Sequence, residues 1–263
     1  MQFEDIALAL ADGIGTISLS RSDKGNTVRS QTMHELCMAI DQFTADTNCA
    51  VIVLRGEGKH FSTGADFTFL DELTRTPTVD IRSQIYVHFQ GAVRRFYHCP
   101  KPTVALVQGA AITVGCELAA AADFRLASDD SFFQESWIKL GIMPPLGGTF
   151  LLPRLIGLGR ASEMVLTART IRATEAYAIG LISEVVAPDA LQARGTEFAH
   201  ELKLIAPLAY RAVKEALHRG LETDMEIEWS ANLSTQAVLL GSEDFKEGLA
   251  AVKARRAPKF SGR

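Results

Sequence analysis

Two short segments set the terms on which this chain can fold. Phe61-Ser62-Thr63-Gly64-Ala65-Asp66 follows the β-branched run Val51 to Leu54, and Gly109-Ala110-Ala111-Ile112-Thr113-Val114-Gly115-Cys116-Glu117-Leu118 follows Thr103 to Val107. Each run reads as a buried strand, and the second segment passes directly into an alanine-rich helix. A strand that turns through glycine and re-enters as a helix leaves peptide N–H groups at the helix start, where they can hold developing negative charge. The same turns also read as plain close-packing corners between strand and helix.

The rest of the chain alternates between strand and helix signals. Asp12-Gly13 lies between Ile6 to Leu10 and Ile14 to Leu19 and predicts a β-hairpin. Met33, Leu36, Cys37, Ile40 and Phe43 recur at helical spacing before a strand over Ala50 to Arg55, so a crossover helix joins strands of one sheet. Ile85, Phe89, Ala92, Val93 and Phe96 mark a second helix. Strands follow at Phe124 to Ala127 and Ile182 to Val186, with a helix near Glu163 between them. From Leu202 to Arg256 only helical spacing remains, with Phe245, Leu249 and Val252 on one apolar face. This pattern predicts an α/β core over residues 1–200 and a C-terminal helical region over 201–263. The segment Asp71 to Asp80 reads as a mobile loop, either a surface connection or a substrate-facing lid, because Thr74, Thr76, Pro77 and Thr78 break the helical pattern.

With 263 residues, 47% of them hydrophobic, the chain is long enough to bury one large α/β core with an appendage. A net charge of −4 argues against general nucleic-acid binding. Cys37, Cys49, Cys99 and Cys116 form no CxxC pair and no zinc spacing with the histidines, so reduced thiols and no metal site are expected. The opening Met-Gln-Phe-Glu-Asp is acidic, and no apolar run approaches the roughly 20 residues that span a bilayer. The expectation is a cytoplasmic protein without a membrane partner.

Further motifs follow in a fixed order. Arg21-Ser22-Asp23-Lys24-Gly25-Asn26 comes before the two segments above, and Asp123 after them. Leu140-Gly141-Ile142-Met143-Pro144-Pro145-Leu146-Gly147-Gly148-Thr149 leads into Leu152-Pro153-Arg154-Leu155-Ile156-Gly157. Thr170-Ile171-Arg172-Ala173 to Gly180-Leu181-Ile182, and Ser242-Glu243-Asp244-Phe245-Lys246-Glu247-Gly248-Leu249, complete the series. In this order, over nearly the whole chain, they resemble the crotonase (enoyl-CoA hydratase/isomerase) superfamily. The resemblance implies a crotonase-like fold of repeated ββα units with a C-terminal helical trimerisation region. It also implies assembly as a homotrimer or dimer of trimers. The implied substrate is an acyl-CoA thioester, with no cofactor beyond the coenzyme A that the substrate carries.

By position, the resemblance assigns the oxyanion-hole N–H groups to Thr63 and Val114. Val114 stands where many members carry glycine, and Thr63 where alanine is common. Because the donor is the backbone amide, a branched side chain narrows the acyl pocket without abolishing the hole. Lys24, Gly25, Asn26, Gly64, Ala65 and Asp66 are implied contacts of the coenzyme A moiety, and Trp137 and Pro144 further substrate contacts. Lys253, Arg255 and Arg256 are candidates for its phosphates, from a neighbouring subunit.

Hydratases of the family use two glutamates. Glu117 occupies the first place, and Trp137 stands in the second, within Phe133-Gln134-Glu135-Ser136-Trp137. An indole has one N–H donor and takes no proton at ordinary pH, so a second base is missing there. Trp137 reads either as a core aromatic or as a pocket wall. Glu135, two residues earlier, would share a strand face with Trp137, displaced along the strand, and is recruited only if the local backbone differs from the family's; otherwise it is expected to face solvent or to be ion-paired. The related aryl-CoA dehalogenases have an aspartate nucleophile where this chain has Pro145, which disfavours their chemistry. Glu117 in a dry pocket is expected to have a raised pKa and to act as a single proton shuttle. Two classes therefore stay open: an enzyme of acyl-CoA enolate chemistry, and a catalytically weakened homologue that binds acyl-CoA.

Overall fold

The computed structural model describes residues 3–263, the side chains of residues 84–86 excepted. The chain opens with the expected hairpin, β1 (Ile6–Ala11) antiparallel to β2 (Ile14–Leu19). Its two-residue turn has Asp12 at φ 51° and Gly13 at φ 81°. Positive φ at both central residues is the conformation whose twist matches a hairpin. Helix α1 (Ser30–Ala45) then crosses over to β3 (Val51–Gly56), which lies parallel to β2.

The segment over 71–80 is not a loop. Helix α2 (Phe67–Arg75) is capped by the Asp66 carboxylate, which accepts the Thr68 N–H at 2.9 Å. Pro77 sits just ahead of α3 (Thr78–Gln84), and its carbonyl accepts the Asp80 N–H at 2.9 Å. Proline disrupts a helix only when it lies beyond the first turn, so here it starts one. A π-helical turn over Ile85–Phe89 leads into α4 (Gln90–Tyr97).

Strands β4 (Thr103–Val107) and β5 (Ala110–Ile112) precede the short helix α5 (Val114–Ala120). The chain repeats this pattern with β6 (Phe124–Ser128) and β7 (Phe132–Gln134). Helices α6 (Gly148–Ile156) and α7 (Leu158–Thr167) follow. Next come β8 (Ile171–Arg172), α8 (Ala173–Ala178), β9 (Glu184–Val186) and α9 (Leu191–Lys203). The main sheet has the order β1-β2-β3-β4-β6-β9, and a smaller one has the order β5-β7-β8. The β4–β5 and β6–β7 pairs each give their first strand to the large sheet and their second to the small one, the repeat that the resemblance implied. A parallel bridge between Ser62 and Ala111 ties the first glycine segment to the same small sheet.

Alternation along β3 divides the core. Val51 and Val53 pack with Leu191, Ala199 and Leu202 of α9, while Ile52 and Leu54 join the larger cluster with Met33, Leu36 and Phe43 of α1. A parallel strand covered on both faces must be apolar throughout, which is why this run shows no polar alternation.

Helices α10 (Pro207–Gly220), α11 (Met225–Leu240) and α12 (Glu243–Ala254) form the C-terminal layer. Asp123, at the end of the α5 corner, anchors it. Its carboxylate accepts the Lys214 ammonium at 2.8 Å and the Tyr210 hydroxyl at 2.9 Å. It also accepts the Thr103 N–H and hydroxyl, both at 2.9 Å. Both charges of the Asp123–Lys214 pair are largely buried. Removing one partner strands the other, so Asp123→Ala is expected to destabilise the fold by about 3–5 kcal/mol. Urea unfolding of the variant measures it, and a change below about 1 kcal/mol would show that α10 does not depend on this pair.

Candidate active site

The two glycine segments meet. Ser62 donates its N–H to the Ala110 carbonyl at 2.9 Å, and Ile112 donates to the Ser62 carbonyl at 3.0 Å. Gly115 lies so close to this strand that a Cβ there would stand 2.8 Å from the Ser62 carbonyl oxygen. Between them Thr113 adopts φ 46°, ψ −110°. A β-branched residue at positive φ is strained, at a cost of order 1–3 kcal/mol. Its N–H is held by the Gln134 carbonyl at 2.8 Å, so the β5–β7 pairing carries the strain. The bend at Thr113 makes Val114 the first residue of α5.

The expected donor pair needs one correction. The Thr63 N–H is already committed to the Gly25 carbonyl at 2.9 Å, and the Thr63 hydroxyl binds the same oxygen at 3.1 Å. Two residues on, the Ala65 N–H has no acceptor among the described residues, and neither has that of Val114. Sequence position alone could not separate Thr63 from Ala65. The Gly25–Thr63 pairing decides it.

Glu117 is fully buried. Its Oε1 accepts the backbone N–H groups of Leu146 at 2.9 Å and Gly148 at 2.8 Å. Its Oε2 accepts only the Trp137 indole N–H, at 3.1 Å. Burial pushes the Glu117 pKa up to about 7, against the opposing pull of the Gly148 and Leu146 amides and the indole. Glycine at 148 keeps this approach uncrowded, since a Cβ would sit 3.1 Å from both Glu117 Oε1 and the Pro144 Cβ and would press on the carboxylate. Trp137 is therefore neither simply core nor simply pocket wall, because it is buried with its N–H aimed at the carboxylate. The Leu146 and Gly148 amides were not foreseen, although the Gly147-Gly148 pair ahead of a helix was their signal.

Glu135 also departs from expectation. It is neither exposed nor ion-paired but fully buried, and neither carboxyl oxygen has a hydrogen-bond partner among the described residues. The strand ends at Gln134, and a 3₁₀ turn begins at Trp137, so the two side chains do not share one strand face.

The other predicted residues fall into two groups. Gly25 and Asn26 form a left-handed turn against the first segment, with the Asn26 amide donating to the Glu57 and His60 carbonyls at 2.8 and 2.7 Å. Asp66 is taken up by the Arg21 guanidinium at 2.9 Å and by capping α2. These side chains hold the turn, leaving its backbone and the exposed Lys24 for a ligand. Pro144 is buried under Gly148. At the end of α12, Arg256 is paired with Glu247 at 2.6 Å, while Lys253 and Arg255 are exposed.

A sequence profile described as enoyl-CoA hydratase/isomerase matches residues 10–263. The chain is 30% identical to the short-chain-enoyl-CoA hydratase of Clostridium acetobutylicum over the full length of both. It is 31% identical to the crotonyl-CoA hydratase of Syntrophomonas wolfei over 99% of each. Identity to the trans-2-decenoyl-[acyl-carrier-protein] isomerase of Streptococcus mutans is 30%, again over both full lengths. The enoyl-CoA hydratase structure from Bacillus anthracis superposes with a TM-score of 0.92 at 30% identity, covering 99% of this chain and 100% of that one. The chain belongs to the enoyl-CoA hydratase/isomerase family and has the crotonase fold.

The indole N–H favours the ionised form of Glu117, so Trp137→Phe is expected to raise the Glu117 pKa above about 7. Titration of 13C-labelled glutamate by NMR measures it. An unchanged or lowered value would mean that the indole contact does not govern this carboxylate.

Proposed function

We propose that this protein binds an acyl-CoA thioester and stabilises its enolate, the thioester oxygen accepting the free N–H groups of Ala65 and Val114. Glu117 moves the proton. The observation that carries this reading is the state of Glu117: a buried carboxylate with one oxygen saturated by backbone donors and the other, Oε2, holding a single indole N–H. Oε2 keeps a lone pair for a proton. A pKa of about 7 suits a group that must both take and return one.

Chemistry with one carboxylate favours some reactions over others. Adding water across a double bond asks the site to hold water, deprotonate it and protonate the α-carbon. Moving a double bond asks one base to remove a proton and replace it on another carbon, with the enolate held meanwhile by the amides. Trp137 contributes an N–H and no proton acceptor, which supports isomerisation or other enolate chemistry over hydration. The curated relatives bear the names of hydratases and of an isomerase. The complete burial of Glu117 favours a second reading, a homologue that binds acyl-CoA without turnover.

Assembly follows from the C-terminal layer. Helix α11 buries none of its residues and exposes Trp229, Leu233 and Val238 by 61 to 75%. A helix with exposed apolar side chains around its circumference needs partners to cover them. The reading is a homotrimer or dimer of trimers, and light scattering that returns a stable 28.6 kDa monomer would overturn it.

The reaction is tested on a panel of enoyl-, dienoyl- and aryl-CoA esters followed by mass spectrometry. Double-bond migration with weak or absent hydration of crotonyl-CoA is expected, and Glu117→Gln lowers the rate at least about 10²-fold. Because Glu117 must be ionised to accept a proton, activity is expected to fall as the pH drops through about 7. Efficient crotonyl-CoA hydration, or full activity in Glu117→Gln, would overturn the reading. Tight binding without turnover across the panel would select the second one.

A further inference from the structure

Glu135 is a buried acid that the proposed reaction does not use. It stands one residue beyond β7, fully excluded from solvent, with no hydrogen-bond partner on either oxygen among the described residues. The titratable groups that face it are Cys116 and Glu117, consecutive residues of α5. The Cys116 thiol is itself buried and held well above its usual range, first by burial and then by Glu135. The charged group behind them is Arg125 of β6, whose guanidinium is spent on carbonyls. It donates to Leu181 at 2.6 Å and Ala122 at 2.5 Å, and more distantly to Ala119 and Ala120. No cation is left over for Glu135.

Donors are thus divided unequally between two neighbouring carboxyls. Glu117 receives three N–H groups and Glu135 none. The buried Cys116 thiol pulls the other way, but an S–H is a weak donor. An anion in a dry site without an N–H or O–H donor is far too costly to persist, and two carboxyls in mutual reach do not both ionise near neutral pH. We propose that Glu135 is a positioning residue, a buried neutral carboxyl that shares a single negative charge with Glu117 and confines that charge to Glu117. The direction of its titration agrees, since burial and then the Glu117 charge push it well above the usual carboxyl range. Ionisation of Glu135 at high pH puts a second negative charge beside Glu117 and sets the alkaline boundary of activity. That last consequence rests on the reading of Glu117 as the proton-moving group. The division of charge does not.

Infrared spectroscopy of the full chain with 13C-labelled glutamate, at pH 8 and without substrate, tests the division directly. One buried protonated carboxyl band is expected in the wild type, retained in Glu117→Gln and lost in Glu135→Gln. Absence of the band in the wild type, its loss in Glu117→Gln or its survival in Glu135→Gln would each overturn the proposal, whatever the enzyme does to its substrate. If Glu135→Gln does not fold, the wild type and Glu117→Gln decide the matter alone. Stability supplies an independent sign. A carboxyl whose folded pKa is raised releases its proton on unfolding, so native stability falls as pH rises above the ordinary glutamate range. Glu135→Gln removes that term, and its melting temperature is expected to gain on the wild type steadily from pH 5 to 8; a constant or shrinking difference would count against it. With an active substrate in hand, Glu135→Gln abolishes the alkaline limb of the pH–rate profile and keeps the acid limb near pH 7 that belongs to Glu117. Persistence of the alkaline limb would remove Glu135 from that role.

Discussion

A carboxylate taken wholly out of water has to be solvated by the protein around it, and much of this molecule is arranged to do that for Glu117. Three elements converge on one side chain: α5 carries it, the 144–148 turn supplies the Leu146 and Gly148 amides, and the 3₁₀ turn supplies the Trp137 indole. Each donor is aimed because something behind it is fixed. Arg125 ties the Ala122 carbonyl just past α5, and more weakly the Ala119 and Ala120 carbonyls at its end, to β6 and to Leu181, which anchors the helix that carries the glutamate. Gly148 lets the turn approach to a distance at which a side chain would crowd the carboxylate. The carboxylate in turn satisfies amides at the start of α6, which have no partner within their own helix.

The second constraint is the close approach of the two strand corners. Gly115 rests on Ser62, and Gly64 rests on Thr113, with no room for a Cβ at either glycine. Thr113 bears the strain of turning a strand into a helix within one residue, and the small sheet holds it there. What this achieves is a pair of amides, at Ala65 and Val114, that no carbonyl among the described residues has claimed. Backbone polar groups in a closed interior are nearly always paired, so two buried donors left without an acceptor among the described residues are informative.

Trp137 fits the frame without disturbing it, and on the proposed reading it changes the proton chemistry. A donor-only indole strengthens the hold on Glu117 and removes a second proton acceptor from the place where the family's hydratases have one. The carboxyl count near Glu117 nevertheless stays at two, because Glu135 is buried a short way behind it. These two acids differ in kind: one is surrounded by N–H donors, and the other has none among the described residues.

Much of the fold was legible in the residues themselves. The Asp12-Gly13 hairpin, the unbroken apolar run of β3, and the glycine corners that follow β3 and β4 are local signals, since turn chemistry and burial on both faces act over a few residues. The motif order also identified the family and singled out Glu117 and Trp137, which the fold brings into hydrogen-bond contact. The threonine- and proline-rich stretch over 71–80 misled because Pro77 starts a helix instead of breaking one, a difference set by its place relative to the cap and not by composition. Which amide of the first corner stays free was decided by Gly25, distant in sequence, whose carbonyl takes the Thr63 N–H and leaves Ala65. Likewise nothing local distinguishes Glu135 from a surface acid. Its burial without a donor follows from where β7 ends and how α5 packs against it, because hydrogen-bond allocation among buried groups exists only once the chain has closed around them.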